Sequence, residues 1–521
     1  MSLQHGAQHL EVRQWQEARW SRLPDRVKAR MMWPQGKPKD AWHSFDREPW
    51  KHPWLTPSNI RSFRSFSDDW LGQLQLSFDA RDDSLKSYAF VGNMANNLYM
   101  RACALAHRKL SIDTYLHPHD RFLMSQPAWE EYDGDVSDGV TTLETALAAG
   151  VALPDVPGVY CQGTVSWTDI SENDLIGSMR FMDRKRFPDY FAYFPTLTEL
   201  QKYDALLGVQ VPYLAYLSGR PYAVTQMGGD IWYECSRDDL YGRLQRVAFQ
   251  KAGVFIVSNP WSLAFARRYG MTNMVYLPFL ISESKYAPGA STYRNEWIAQ
   301  TGGDFFVMMS SRLDYVFKGS NLAIRAFGRL AKQVPSARLV IAGWGSDQAR
   351  ANKLFDELGI AGKVLIVPVA GKRKLVDYLR SADCLIDQLN LGYYGASALE
   401  GMACGVPVIM NLNREQYDAL LPEGSAPVCQ AETEEEVFRH LSELHDNLSF
   451  RVGVGERLRN WFLQTHGNAK WGKLYEAVLW GTAEHRLPPY DSTPLRSPLG
   501  SKEFSHHASQ LRSAPKFPSY F

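Results

Sequence analysis

Between residues 305 and 411 short, continuous apolar runs alternate with longer helical stretches. The runs Phe305–Met309, Arg338–Ala342, Val364–Val367, Cys384–Asp387 and Pro407–Met410 read as strands. Ser320–Val334, Asp347–Leu358, Lys372–Arg380 and Ala396–Ala403 read as the helices between them. The strands are apolar throughout rather than alternating, the pattern expected when helices cover both faces of a parallel sheet. A second series begins at Lys86. Ser87–Val91 predicts a strand, 92–97 a turn, Leu98–His107 a helix and Ile112–Leu116 the next strand, which is a βαβ unit. Ala205–Gly208, Tyr222–Thr225, Val254–Ser258 and Met274–Tyr276 continue it, whereas residues 120–200 give no pattern that fixes a topology. The expected fold class is therefore α/β: two doubly wound, Rossmann-like domains in series. A ligand cleft is expected between them, at the carboxyl ends of the strands.

The ends follow other rules. Residues 1–85 hold seven of the 16 tryptophans (Trp15, Trp20, Trp33, Trp42, Trp50, Trp54 and Trp70). Pro24, Pro34, Pro38, Pro49, Pro53 and Pro57 are interleaved with them, which argues against long regular elements. The segment reads as an extended arm whose indoles pack on the body. A sugar-stacking or partner-binding surface and membrane-interface anchoring are the other readings. Ser282, Ser284, Pro288, Gly289, Gly302 and Gly303 predict an interdomain connection near 282–303. Pro488, Pro489, Pro494, Pro498, Pro515 and Pro518 make 487–521 an irregular tail.

Composition narrows the setting. A chain of 521 residues exceeds one hydrophobic core. Its 45% apolar and 22% charged content is that of a globular protein. A formal charge of +1 names no nucleic acid or anionic membrane as partner. Six scattered cysteines without a C-x-x-C pair fit a reducing, cytoplasmic setting. No stretch approaches the roughly 18 apolar residues of a membrane span, which leaves peripheral membrane contact open.

The chemistry concentrates in Gly392-Tyr393-Tyr394-Gly395-Ala396-Ser397-Ala398-Leu399-Glu400, which leads from a strand through a glycine turn into a helix. Gly395 admits close backbone approach, and the helix start at Ala396 and Ser397 offers N–H groups to a phosphate. Glu400 lies about one turn in, on a helix of small apolar residues. Its two carboxylate oxygens suit two neighbouring hydroxyls, the arrangement a ribose presents. Ser310-Ser311-Arg312-Leu313 and Phe317-Lys318-Gly319 flank a second strand–helix junction. Two cations there would neutralise a pyrophosphate leaving group as its bond breaks.

These blocks resemble the signature of family-4 glycosyltransferases, retaining enzymes of the GT-B fold. Their pattern is E-x7-E, a small-residue helix, then G-x-P-V-I. Glu400 matches the second glutamate, which in that family holds the donor ribose. The first would fall at Gly392 and is absent, as in a variant of the family with Asp-Gln at the strand end followed by G-x-(Y/F)-G, here Asp387-Gln388 and Gly392 to Gly395. Ser311, Arg312 and Lys318 match the element whose Arg and Lys bind the donor diphosphate. The resemblance implies a donor pocket of Ser311, Gly392, Tyr394, Gly395, Ala396, Ser397 and Glu400, with Arg312 and Lys318 acting on the leaving group. Gly92, Asn93 and Asn97 resemble the first strand–turn, on the acceptor side. Asp230 in Gly228-Gly229-Asp230-Ile231 resembles a turn near the acceptor pocket. The implied domains are 86–285 on the acceptor side and 286–465 on the donor side, with 466–486 closing back onto the first.

His117, His119 and Asp120 lack further ligands at metal spacing and read as a loop. No dinucleotide, Walker or nucleophile-elbow motif occurs. The expectation is a glycosyltransferase taking a nucleoside-diphosphate sugar as donor substrate, with no cofactor and no metal. Its acceptor is open among a glycan, a lipid-linked sugar, a small metabolite and a modified nucleic-acid base. A catalytically silent scaffold that binds a nucleotide sugar or a partner is the rival, and a sugar-nucleotide epimerase the third reading.

Overall fold

A computed structural model describes residues 51–81, 86–105, 110–116, 122–136, 140–152, 159–161, 197–237 and 240–486. The first five tryptophans, the His117–Asp120 loop and the 487–521 tail lie outside them.

The apolar runs form two parallel sheets. The first contains β1 (Ser87–Val91), β2 (Ser111–Leu116), β3 (Val159–Cys161), β4 (Ala205–Gly208), β5 (Tyr222–Thr225), β6 (Val254–Val257) and β7 (Met274–Tyr276). Its order is β3-β2-β1-β4-β5-β6-β7. The second contains β8 (Phe305–Met309), β9 (Ala337–Ala342), β10 (Val364–Val367), β11 (Cys384–Ile386), β12 (Val408–Met410) and β13 (Cys429–Gln430), ordered β10-β9-β8-β11-β12-β13. Each order reverses beside its first strand, β1 or β8, which makes the carboxyl ends of β1/β4 and β8/β11 the switch points where a doubly wound sheet opens a crevice. Every residue of β4, β5, β6, β8 and β9 is buried, as two-sided helical cover requires.

Three parts depart from the sequence reading. Pro57–Asp79 is a 23-residue helix, where the proline spacing predicts an extended arm. Pro57 stands in the first turn, the place where a missing N–H costs nothing, and Thr56 caps by accepting from the Asn59 amide. The rest of the helix is free of proline, and Ile60, Phe63, Ser67, Trp70, Leu71, Leu74 and Phe78 form one buried face. That face packs on β7, on helix Arg414–Leu420 and on helix Asn468–Ala483. Ser67 Oγ accepts from the Tyr276 amide at 2.8 Å, and Arg64 donates to the Leu420 carbonyl at 2.7 Å. The connection is also shorter than expected, because Arg294–Thr301 is a helix of the second domain, with Trp297 buried against Phe306. Finally, the stretch without a sequence pattern contains the helices Phe122–Ser125, Pro127–Glu131 and Leu143–Ala148 and the edge strand β3. Phe122, Ala128, Trp129, Val136, Val140 and Ala146 make a small core that Val369 of the second domain joins.

Helix Leu448–His466 runs along the second domain, and Asn468–Ala483 packs on β4, β5 and helix Asn97–Leu105 of the first. Tyr475 fixes it there, donating to the Pro278 carbonyl at 2.8 Å and accepting from Arg101 at 3.0 Å.

Candidate donor site between the two sheets

The loops at the carboxyl ends of the two sheets meet. Trp232, after β5, packs edge-on against Phe317, after β8. Trp261, after β6, lies 5.4 Å from Tyr393, after β11. Tyr417 donates to Asn259 at 2.8 Å.

On the second-domain side, Asp314 organises the loop after β8. Its Oδ1 accepts from the Val316 and Phe317 amides at 3.0 and 2.8 Å, and its Oδ2 holds Arg312 Nη2 at 3.1 Å. Gly319 opens helix Ser320–Gln333 at φ 67°, with Leu389 and Asn390 so close that a Cβ would stand 3.0 Å from each. Asn390 in turn donates to the Tyr315 and Val316 carbonyls at 3.0 Å. The loops after β8 and β11 are thus one unit, and Lys318 Nζ crosses it to Asp387 Oδ1 at 2.8 Å. Asp387 is fully buried and its Oδ2 has no hydrogen-bond partner. Ser311 is buried beside Ser310, whose hydroxyl is likewise without a partner.

Gly395 caps helix Ala396–Ala403, with Ala396 and Ser397 half-buried at its start. Gly392 accepts from the Asn413 amide at 2.8 Å, which ties the loop to the end of β12. The Tyr394 ring lies in the core against Tyr417, Trp461 and His466. Glu400, one turn into the helix, is 0% exposed. Its Oε1 accepts from Lys372 Nζ at 2.6 Å, and its Oε2 has no partner.

The sequence reading missed Lys372. It begins helix Lys372–Ser381 directly after Gly371, at a strand–helix junction like that of Lys318, although there the lysine precedes the glycine. Its ammonium also sits 4.9 Å from the centre of the Trp129 ring, on the first-domain side. Next to Trp129, Glu130 accepts from Lys285 at 2.8 Å and from Tyr286 at 2.6 Å. Burial raises the Glu130 carboxyl, but the charges of Lys285 and Lys372 and the bonds from Lys285 and Tyr286 hold it net below its ordinary range. A cavity of about 410 Å³ adjoins this group, lined by Tyr99, Cys103, Glu131, Lys285 and Arg373 among others.

On the first-domain side, Gly92 (φ 83°) passes so close to the chain after β4 that a Cβ would stand 2.2 Å from the Val209 carbonyl. The next turn places Ala95 and Asn96 at φ 55° and 53°, strained values for residues with a side chain. Asn93 holds the turn, donating to Asn96 and to the Ser125 carbonyl and accepting from the Tyr99 amide at 2.9 Å. Asn97 is buried, and its Oδ1 has no partner. Asp230 is committed to backbone: its oxygens accept from the Met227 and Ile231 amides at 2.9 Å and from Gln210 at 3.4 Å. Burial nevertheless lifts its carboxyl to about 6.

Residues 294–459 match the family described as Glycosyl transferases group 1. The D-inositol 3-phosphate glycosyltransferase of Mycolicibacterium smegmatis is 35% identical over 86 residues, which is 16% of this chain and 20% of that protein. The chain thus matches about a fifth of that relative's length. Among solved structures, HepE of Anabaena in complex with UDP and glucose superposes with a TM-score of 0.52 at 13% identity, covering 76% of this chain and 100% of that one. Sucrose-phosphate synthase of Thermosynechococcus elongatus gives 0.51 at 16% identity, with the same coverage. The chain therefore has the GT-B fold, and the part of it that matches the group 1 glycosyl transferases is residues 294–459.

Proposed function

We propose that the protein is a retaining glycosyltransferase of the family-4 type, moving a sugar from a nucleoside diphosphate to an acceptor hydroxyl. The observation that carries this reading is the single unit made by the loops after β8 and β11. It ties Lys318 to Asp387 and Leu389, at the head of the loop that leads into the Glu400 helix. That HepE is described with UDP and glucose bound favours a uridine donor.

In this reading the donor diphosphate lies between Lys318, Arg312 and the helix start at Ala396 and Ser397. Charge builds on the leaving phosphate as the glycosidic bond breaks, and two cations with helix amides stabilise it most at that point. Arg312 turns from Asp314 to the phosphate, while Lys318 shares itself between the phosphate and Asp387. Glu400 accepts from the ribose hydroxyls. With glycine at 392, the leaving phosphate oxygen takes the acceptor proton on the face it has just left, which retains the anomeric configuration. The positive charge comes from side chains and helix amides, so the step needs neither metal nor cofactor. The acceptor approaches from the first domain, past Gly92, Asn93, Asn97 and Asp230.

Incubating the full chain with UDP-, GDP-, ADP- and dTDP-sugars and following nucleotide release tests the reading. Slow hydrolysis of one donor, giving a sugar of unchanged anomeric configuration by NMR, supports it. Inverted product removes the retaining assignment, and no turnover of any donor removes the activity.

A further inference from the structure

The residue assigned to the ribose is shut off from it. Glu400 is fully buried, one oxygen is held by Lys372, and the other is buried without a partner, an expensive state for a carboxylate. Lys372 is held there from the other domain. Trp129 lies over its ammonium and donates from Nε1 to the Ala370 carbonyl at 2.8 Å. The chain after Trp129 then pairs with the chain before Lys372. Val136 N–H donates to Val369 at 2.6 Å, Gly371 N–H to Gly134 at 2.8 Å, and Arg373 N–H to Tyr132 at 3.2 Å, around an antiparallel bridge between Asp135 and Ala370. Two ion pairs flank the contact: Arg373 with Glu131 at 2.5 Å and Lys374 with Asp135 at 2.8 Å. First-domain backbone thus occupies the edge that follows β10, next to the donor carboxylate.

We propose that Pro127–Val136 is a latch on the donor site: it holds Lys372 on Glu400, and the ribose of an incoming nucleoside diphosphate competes with Lys372 for that carboxylate. Binding opens the latch and frees Glu400 to accept two hydroxyls. The apparent affinity for nucleotide is then reduced by the fraction of molecules that are latched, so a latch closed nine-tenths of the time weakens binding about tenfold. The inference rests on the assignment of Glu400 to the ribose.

Gly371 supplies the test. Its φ of −60° and ψ of 158° are open to alanine, yet a Cβ there would stand 2.1 Å from the Tyr132 carbonyl oxygen. Gly371→Ala therefore pushes the latch away with Lys372 and Glu400 themselves unsubstituted. UDP, GDP, ADP and dTDP are titrated into the full-length parent and into Gly371→Ala, and amide exchange is followed at Val136 and Gly371 in the parent. The latch predicts about tenfold tighter nucleotide binding in the variant, and faster exchange at both amides when nucleotide is added to the parent. Equal or weaker binding by a folded Gly371→Ala overturns it, as does slower exchange at these amides with nucleotide. If Gly371→Ala does not fold, the parent's exchange decides alone. If the parent binds a nucleotide and the variant binds it no better, the latch alone fails. If neither protein binds any of the four, the donor site itself fails, and the latch with it.

Discussion

Lys318 and Asp387 form a buried ion pair, 2.8 Å between Nζ and Oδ1, that ties the loop after β8 to the loop after β11. The lysine matched by sequence to the donor diphosphate is therefore also the counter-charge of a carboxylate with 0% exposure. Lys318→Ala should lower turnover by roughly 10²–10³. It should also destabilise the fold by about 3–5 kcal/mol, because Asp387 is left buried and unpaired. Adding Asp387→Asn should restore most of the stability and none of the turnover, read by denaturant unfolding and donor hydrolysis on all three variants.

Glu400→Gln keeps an acceptor oxygen for Lys372 and removes the charge. Donor binding should weaken by about 1.5–3 kcal/mol, the scale of a hydrogen bond to a charged group, with turnover at saturating donor little changed. A slower chemical step with unaltered donor affinity would move Glu400 from binding to catalysis.

Helix Pro57–Asp79 should be indispensable to the fold. Phe63 is 1% exposed within its packed face. Phe63→Ala should cost about 3–5 kcal/mol in urea unfolding, as truncation of a buried aromatic does. A change below 1 kcal/mol would show that the helix docks weakly.

Stability should fall in mild acid through His466. The ring is buried among Tyr394, Trp461 and Phe462, and burial pushes its imidazole from 6.5 down to about 3. The unfolded chain takes up this proton below pH 6.5 and the folded chain does not, so the loss grows as pH falls from 6.5 towards 3. At pH 5 it amounts to about 2 kcal/mol. His466→Phe keeps the aromatic contacts and should lose that much less between pH 7 and pH 5. Parallel pH profiles for the two proteins would place the acid sensitivity elsewhere.

Chelation should leave activity intact if side chains and helix amides supply the charge on the diphosphate. Donor hydrolysis with and without EDTA should agree within twofold. A large loss restored by a divalent cation would show that Lys318 and Arg312 do not suffice.

What was legible in the sequence follows from what is local. β4, β5, β7, β8 and β10 lie where their apolar runs place them, and in the first four every residue is buried, as in a strand covered on both faces. The Arg312, Lys318 and Glu400 blocks were legible because each is a strand–turn–helix junction of a few residues. The helix Pro57–Asp79 carried its own periodicity, but Pro49, Pro53 and Pro57 before it suggested a broken chain, although Pro57 starts the helix. The partners of Lys318 and Glu400 were not legible. Asp387 is 69 positions from Lys318, Lys372 is 28 from Glu400, and Trp129 comes from the other domain. The strand order of the second sheet brings each ion pair together, and the packing of the first domain on the second adds Trp129.

The central claim is that one nucleoside-diphosphate sugar binds between the loops after β8 and β11, through Lys318 and Glu400. Calorimetric titration of UDP-, GDP-, ADP- and dTDP-sugars into the parent, Glu400→Gln and Lys318→Ala/Asp387→Asn tests it most directly. The account predicts a single site for one of the four in the parent, and at least tenfold weaker binding of the same donor in each variant. Binding of that donor with equal affinity by all three folded proteins, or binding of none by the parent, would contradict it.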